Sequence, residues 1–334
     1  PVNLKVIGQL AFDGCNRLQS IEIPNNTRTL LNNVFSSCSS LTHVRLPQGM
    51  VTIPLGLFYC CTSLVDVNVP SSVIEIGGSA FCGCESLETM KLPIGLKKIG
   101  SNAFRGTGFQ HFHFPSTVET IGDGALAHCE ELVSVMLPPK LEIIPRESFC
   151  GCSKLKDISI PKSVAGVGTS AFKSCGLTHL DLFRCNLTSI GRSAFAHCSQ
   201  LKSVLFPRTS LKRIEEATFE RCSSLTHLWI PPTVEYIDKG AFAKCTSLLS
   251  VEVPESLKGV GFVGHLDYYE EGAPGYNSLV NFFLPPSHKL ELDPDGYDYD
   301  DTFMEEIKLA EGADGYPDLV SKLKHRFDYL PLHR

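Results

Sequence analysis

Leu87-Glu-Thr-Met-Lys-Leu-Pro93, then Leu96-Lys-Lys-Ile-Gly100, then Ala103-Phe104, is the best-formed copy of a unit that fills most of the chain. Its first segment alternates apolar and polar residues, the pattern of a short strand with one face turned inward. Pro93 cannot donate to a ladder and ends that strand. Gly100, after Ile, fits a tight turn with unusual backbone angles. The A-F-x-x-C piece reads as a helical turn that drops Phe and Cys into a core.

Moving outward, phenylalanine recurs at Phe12, Phe35, Phe58, Phe81 and Phe104, and Leu126 takes the sixth place. It resumes at Phe149, Phe172, Phe195, Phe219 and Phe242, a 23-residue spacing with single slips of one. Cysteine keeps the same register from Cys15 to Cys245, and proline from Pro24 to Pro254. Three residue types in one register define an internal repeat, which overrides any domain count drawn from the 334-residue length. A unit this short cannot bury its apolar face alone, so neighbours must stack over one continuous core. Eleven A-F units and a further strand, Leu279-Val-Asn-Phe-Phe-Leu-Pro285, give 11–12 strands. At ~4.8 Å per strand the arc is roughly 55 Å long.

The pattern L-x-x-[IV]-x-[IVL]-P…I-G-x-x-A-F-x-x-C-x-x-L, carried by residues 1–285, resembles the BspA-like (type 5) class of leucine-rich repeats. That resemblance implies interaction or adhesion modules, found in bacterial surface proteins and in single-celled eukaryotes. The expected class is therefore an α/β repeat solenoid with a parallel concave sheet. Two units depart from the pattern: Gly108 replaces the cysteine of the fifth, and Phe183 the proline of the eighth. Pro1 stands where Pro93 stands in its unit, so the first unit is truncated, and a cap or more repeats are expected upstream. Residues 266–278 read as an insertion. Residues 286–334 read as an acidic turn and a helical C-terminal cap, with Leu319, Val320, Leu323 and Phe327 at helical spacing.

Composition narrows the function classes. Net charge is −6 with basic residues scattered, which offers no nucleic-acid footprint. No apolar run reaches the ~18 residues of a membrane span. Gly259-Val-Gly-Phe-Val-Gly264 spells a dinucleotide fingerprint, but in register Val260-Gly261 is the I-G step of the repeat, with no room for the helix that motif requires. His128-Cys129 and His197-Cys198 place the cysteine in the core column, where a thiol acts as a small hydrophobe. His111 and His113 share a strand face, yet Lys91 and Met136 flank them and no third ligand appears. Glu291 to Thr302 resembles half of a calcium loop but lacks its final glutamate. No catalytic residue, metal or cofactor is assigned, and an enzyme is not expected.

Fourteen cysteines without C-x-x-C favour packed, reduced thiols in the cytoplasm or another reducing compartment. Sequons at Asn25 and Asn186 keep a surface or secreted module open. The expected function is a protein-binding scaffold or adaptor, with an adhesion module or a structural subunit of a larger assembly as alternatives. On each strand the two residues flanking the central apolar one point out from the sheet. The first column runs from Ser20 to Asn281 and the second from Glu22 to Phe283. The second turns apolar towards its C-terminal end, with Leu205 and Trp229 expected as neighbours. Met136, His179, Leu205, His227, Trp229 and Phe283 are the candidate partner-binding residues. Burial of this patch beneath the tail or the 266–278 insertion remains the alternative.

Overall fold

A computed structural model describes residues 4–207, 210–252, 254 and 256–260, together with the backbone of Asn281–Phe283. Each unit is one coil of a solenoid, and every regular element among the described residues is a β-strand. The class is thus a β-solenoid of about 11 turns, which corrects the α/β expectation. The helical cap expected within 286–334 lies outside the described residues.

Each coil has three sides. The first is the L-x-x-[IV]-x-[IVL] strand, as in Ser20–Glu22, His43–Arg45 and Asp66–Asn68, which pair in parallel at one-coil spacing. The second is a two-residue strand before the I-G step, as in Glu75–Ile76, Lys98–Ile99 and Thr120–Ile121. The third is the Ala-Phe-x-x-Cys side, where the expected helical turn is replaced by an open column of hydrogen bonds. Alternate amides fold back three residues, as Cys15 N–H to Phe12 O at 3.1 Å. The amides between them reach the next coil, as Phe35 N–H to Leu57 O at 3.0 Å and Ser37 N–H to Tyr59 O at 2.7 Å. Three such bonds leave every coil from Leu10 to Arg221. The alternation requires left-handed backbone two residues before and two after each phenylalanine, as at Ser79 (φ 51°) and Gly83 (φ 75°). Uniformly right-handed residues would aim every amide along one axis, giving a helix and no link between coils.

The core is a column of phenylalanines. Rings of successive coils stack at 5.2–5.7 Å from Phe12 to Phe104 and from Phe149 to Phe242, interrupted only at Leu126 among the described residues. Burying each ring is worth about 1.5–3 kcal/mol. The cysteine column explains itself through hydrogen bonding. Nine ladder thiols donate to a carbonyl of the preceding coil, as Cys61 Sγ to Phe35 O at 3.0 Å and Cys198 Sγ to Phe172 O at 3.1 Å. Cysteine therefore supplies both a small apolar body and one donor at this place.

Two local expectations change. Thr107, not Gly108, holds the cysteine's place in the fifth unit, its hydroxyl 2.9 Å from Phe104 O and 3.2 Å from Cys129 Sγ. Gly108 belongs to the following loop, one residue shorter here (Thr107–Phe109) than in the preceding coil (Cys84–Leu87). Gly176 sits in the same shortened loop before Leu177, and a Cβ on either glycine would meet a carbonyl oxygen of the previous coil at 2.2–2.3 Å. The I-G glycines also differ from expectation. Their φ is not left-handed; what they supply is proximity, since a Cβ on Gly100 would lie 2.4 Å from Gly78 N and one on Gly122 2.3 Å from Ser101 N. The repeat glycine is a spacer between backbones.

Candidate functional site

The outward columns follow from the strand pleat. His43–Arg45, Asp66–Asn68, His111–His113 and His179–Asp181 each read exposed, buried, exposed, with the central residue in the core. Met136, bonded in register with His113, is 60% exposed. Exposure falls towards the C-terminal coils: Leu205, His227 and Trp229 are half-buried, and Ser250 is buried.

Leu205 and Trp229 stand on adjacent strands, Ser203–Leu205 and His227–Trp229, which touch but belong to separate hydrogen-bonded sheets. The backbone of Phe283 extends the last sheet beside Glu252; its side chain is outside the described residues. Met136 stands apart, separated from His179 by the coil bearing Asp157 and Ser159. The six candidates therefore form a C-terminal group and one outlier.

Pairings within the first column escaped the sequence reading. His111, His179 and His227 each place Nδ1 2.8 Å from the hydroxyl of the serine one coil on, Ser134, Ser203 and Ser250. The signal was present, because each histidine precedes a serine in the same column. These bonds hold the rings against the sheet through Nδ1. The His111 and His179 pairs lie exposed on the sheet, and the His227 pair is partly buried.

The sheet itself has gaps. Residues 89–91 and 157–159 carry the strand sequence but join no ladder, so the long sheet divides among the described residues. Each gap falls in the coil just before one of the shortened loops, although at the second Thr178 N–H still reaches Lys156 O at 3.0 Å. At the first, Phe109, Phe112 and Phe114 take the places of Leu87, Met90 and Leu92, and their rings pack edge-on and tilted at 4.8–5.1 Å. A groove of about 420 Å³ opens between Thr89–Ile94 and Phe109–Ser116.

Burial pushes the thiols of Cys61 and Cys198 up to about 12 and that of Cys129 to about 11, so these three remain protonated donors. Cys129 is buried while neighbouring His128 is exposed at a left-handed turn, so that pair is not a nucleophile and its base. Burial lowers His197. Glu235 is held down at about 2 by Lys212 and Lys258, which reach it from the coils on either side at 2.5 and 2.6 Å. No cluster of three metal-ligating side chains occurs among the described residues. Gly166–Val167 and Gly259–Val260 are rungs of the two-residue ladder, so the apparent dinucleotide fingerprint belongs to the repeat. Among the described residues no helix is long and apolar enough to cross a membrane. The calcium-like loop lies outside the described residues.

Coils of one register, a stacked aromatic core and an outward strand face define a leucine-rich-repeat solenoid. The pattern described as a BspA type leucine-rich repeat region, in six copies, matches residues 1–107, 75–184 and 167–262, and the chain belongs to that family. Among solved structures it is similar to a leucine-rich cell surface protein of Faecalibacterium prausnitzii, at 27% identity and TM-score 0.51, over 76% of this chain and 78% of that one. It is also similar to a leucine-rich repeat protein of Bacteroides ovatus, at 28% identity and TM-score 0.46, over 74% and 83%. The pneumococcal vaccine antigen PcpA shares the fold at 20% identity and TM-score 0.51, over 78% and 74%. Comparison with curated proteins gives no match.

Proposed function

We propose that the protein is a non-enzymatic scaffold that holds a protein partner on the outward face of its three-residue strands. The observation that carries this reading is the alternation of those strands, which leaves two columns of side chains outside the core and uncommitted to chemistry. Leu205 and Trp229, with His179 and His227 beside them, are the proposed centre of contact, and Met136 and Phe283 its outlying members. Tryptophan in a half-covered site is the residue type most enriched at interface hot spots.

The test is affinity capture from native extract with the full chain and with a Leu205→Asp/Trp229→Asp variant of matched thermal midpoint. Loss of one specific protein with the variant supports the site. An unchanged set of partners sinks it.

A reducing compartment is favoured by the nine thiol-to-carbonyl bonds, because a sulfur in a disulfide has no proton to donate. A cell-surface role is the second reading, favoured by the likeness to the F. prausnitzii cell surface protein. Asn25 and Asn186, both exposed, would carry glycans in a secretory pathway. Thiol counting and glycan mass on protein from its native source separate the two. Fourteen free thiols and bare asparagines support the first, and glycosylated asparagines the second.

A further inference from the structure

We propose that the groove between Thr89–Ile94 and Phe109–Ser116 receives an extended, acidic segment of a partner protein as an added β-strand. The backbone supplies the first argument. Amides and carbonyls of residues 88–92 make no hydrogen bond among the described residues, although the sequence there is the repeat's strand. Across the groove, His111–His113 is bonded on one side only, to Ser134–Met136. Two strand edges with unused bonding capacity therefore face one opening. Such edges are templates for strand addition, in which main-chain bonds give affinity and alternate side chains give selectivity.

The lining supplies the second argument. Met90, Leu92, Phe112 and Phe114 form the floor, while Thr89, Lys91, His111 and His113 stand on the rim. Among the described residues no carboxylate lines the groove, and Lys91 makes no ion pair. Ile94 is 85% exposed, the most exposed large apolar side chain among the described residues. An incoming strand turns alternate side chains to opposite faces. It would set apolar residues against Met90 and Phe112 and acidic ones beside Lys91 and His113. The peptide class is thus alternating apolar and acidic, a chemistry that the Leu205–Trp229 group does not share. The inference rests on the scaffold reading in placing a partner on the strand face, but it concerns a separate place on it.

The experiment pans a phage-displayed library of random decapeptides against the full chain. Enriched peptides should alternate apolar and acidic residues, and their affinity should fall at least tenfold for Lys91→Glu and for Ile94→Asp. Both side chains are exposed, so both variants should keep the parent thermal midpoint. Affinity should be unchanged for Leu205→Asp/Trp229→Asp, which keeps failure here distinct from failure of the C-terminal site. Hydrogen exchange supplies a second readout: amides 88–92 should exchange freely in the unbound chain and at least tenfold more slowly with peptide. No enrichment, enrichment without acidic residues, equal binding to the groove variants, or unchanged affinity after N-methylation of alternate peptide residues would each overturn the proposal.

Discussion

On one side of the solenoid, three amides of each coil reach the next without interruption from Leu10 to Arg221. On the strand side of the same coils the ladder stops at 89–91, at 157–159 and again between Ser203–Leu205 and His227–Trp229. The uninterrupted side carries the stacked phenylalanines and the thiols; the interrupted side carries the outward columns. Cohesion between coils is thus concentrated where solvent is excluded, and the strand face is left free to lose rungs. In a stack where each unit touches only its neighbours, that division lets a surface change without releasing the core.

The sharpest way to break the contrast is to cut both sides of one coil. Phe81→Ala, which removes a buried ring stacked on Phe58 and Phe104, should cost about 3–5 kcal/mol. Thr89→Ala, on the interrupted strand, should change stability by less than about 0.5 kcal/mol. Urea unfolding of both variants checks the pair, and comparable losses would remove the distinction.

Glycines give a smaller effect of the same kind. Gly100→Ala places a methyl 2.4 Å from Gly78 N and should destabilise by about 1–3 kcal/mol. Gly95→Ala, with nothing within 4 Å, should be neutral in the same assay.

The thiols sharpen the comparison through pH. The folded pKa values of Cys61, Cys129 and Cys198 lie above the ordinary 9.0, at about 11–12, so folding favours their protonated form. Their contribution is complete below pH 9 and is lost as pH rises towards 12. Thermal midpoints measured across that window should fall, and the fall should be shallower in Cys198→Ala. That variant should itself lose about 1 kcal/mol near neutrality through the missing donor.

The smallest effect is expected from Thr107→Cys, which returns a thiol to the one coil between Cys84 and Cys129 that lacks it. A change below about 1 kcal/mol in the urea assay would show that a hydroxyl serves the column nearly as well.

Much of this was legible in the sequence. Period, core identity and the outward columns all came from residue type at fixed spacing, since side-chain direction alternates along a strand, whereas the breaks in the strand ladder did not. The Ala-Phe-x-x-Cys side was misread as helical because its apolar spacing resembles one helical turn. The left-handed residues that prevent a helix are of mixed type, including Asn33, Ser79, Glu147 and Lys244, with glycine at only some coils. The I-G glycine was read as a turn residue because close approach between backbones leaves no mark within a single coil. The groove was hidden for a related reason. Residues 87–93 are the best match to the pattern, yet they join no ladder, and what sets their surroundings apart is a shortened loop and three aromatic rings one coil later. At the C-terminal patch the adjacency of Leu205 and Trp229 was readable, but the missing rung between their strands was not.

The directions of the inter-coil bonds have an electrical consequence. Along the Ala-Phe side amides point to the following coil, whereas at the I-G step they point to the preceding one, as Gly77 N–H to Ile53 O at 2.8 Å. Peptide dipoles in the two columns therefore oppose each other, where in an α-helix they would add to about half a charge at each end. Lengthening such a stack builds up little axial field. The number of coils is electrostatically cheap to vary, and each end offers a mixture of donors and acceptors in place of a single pole.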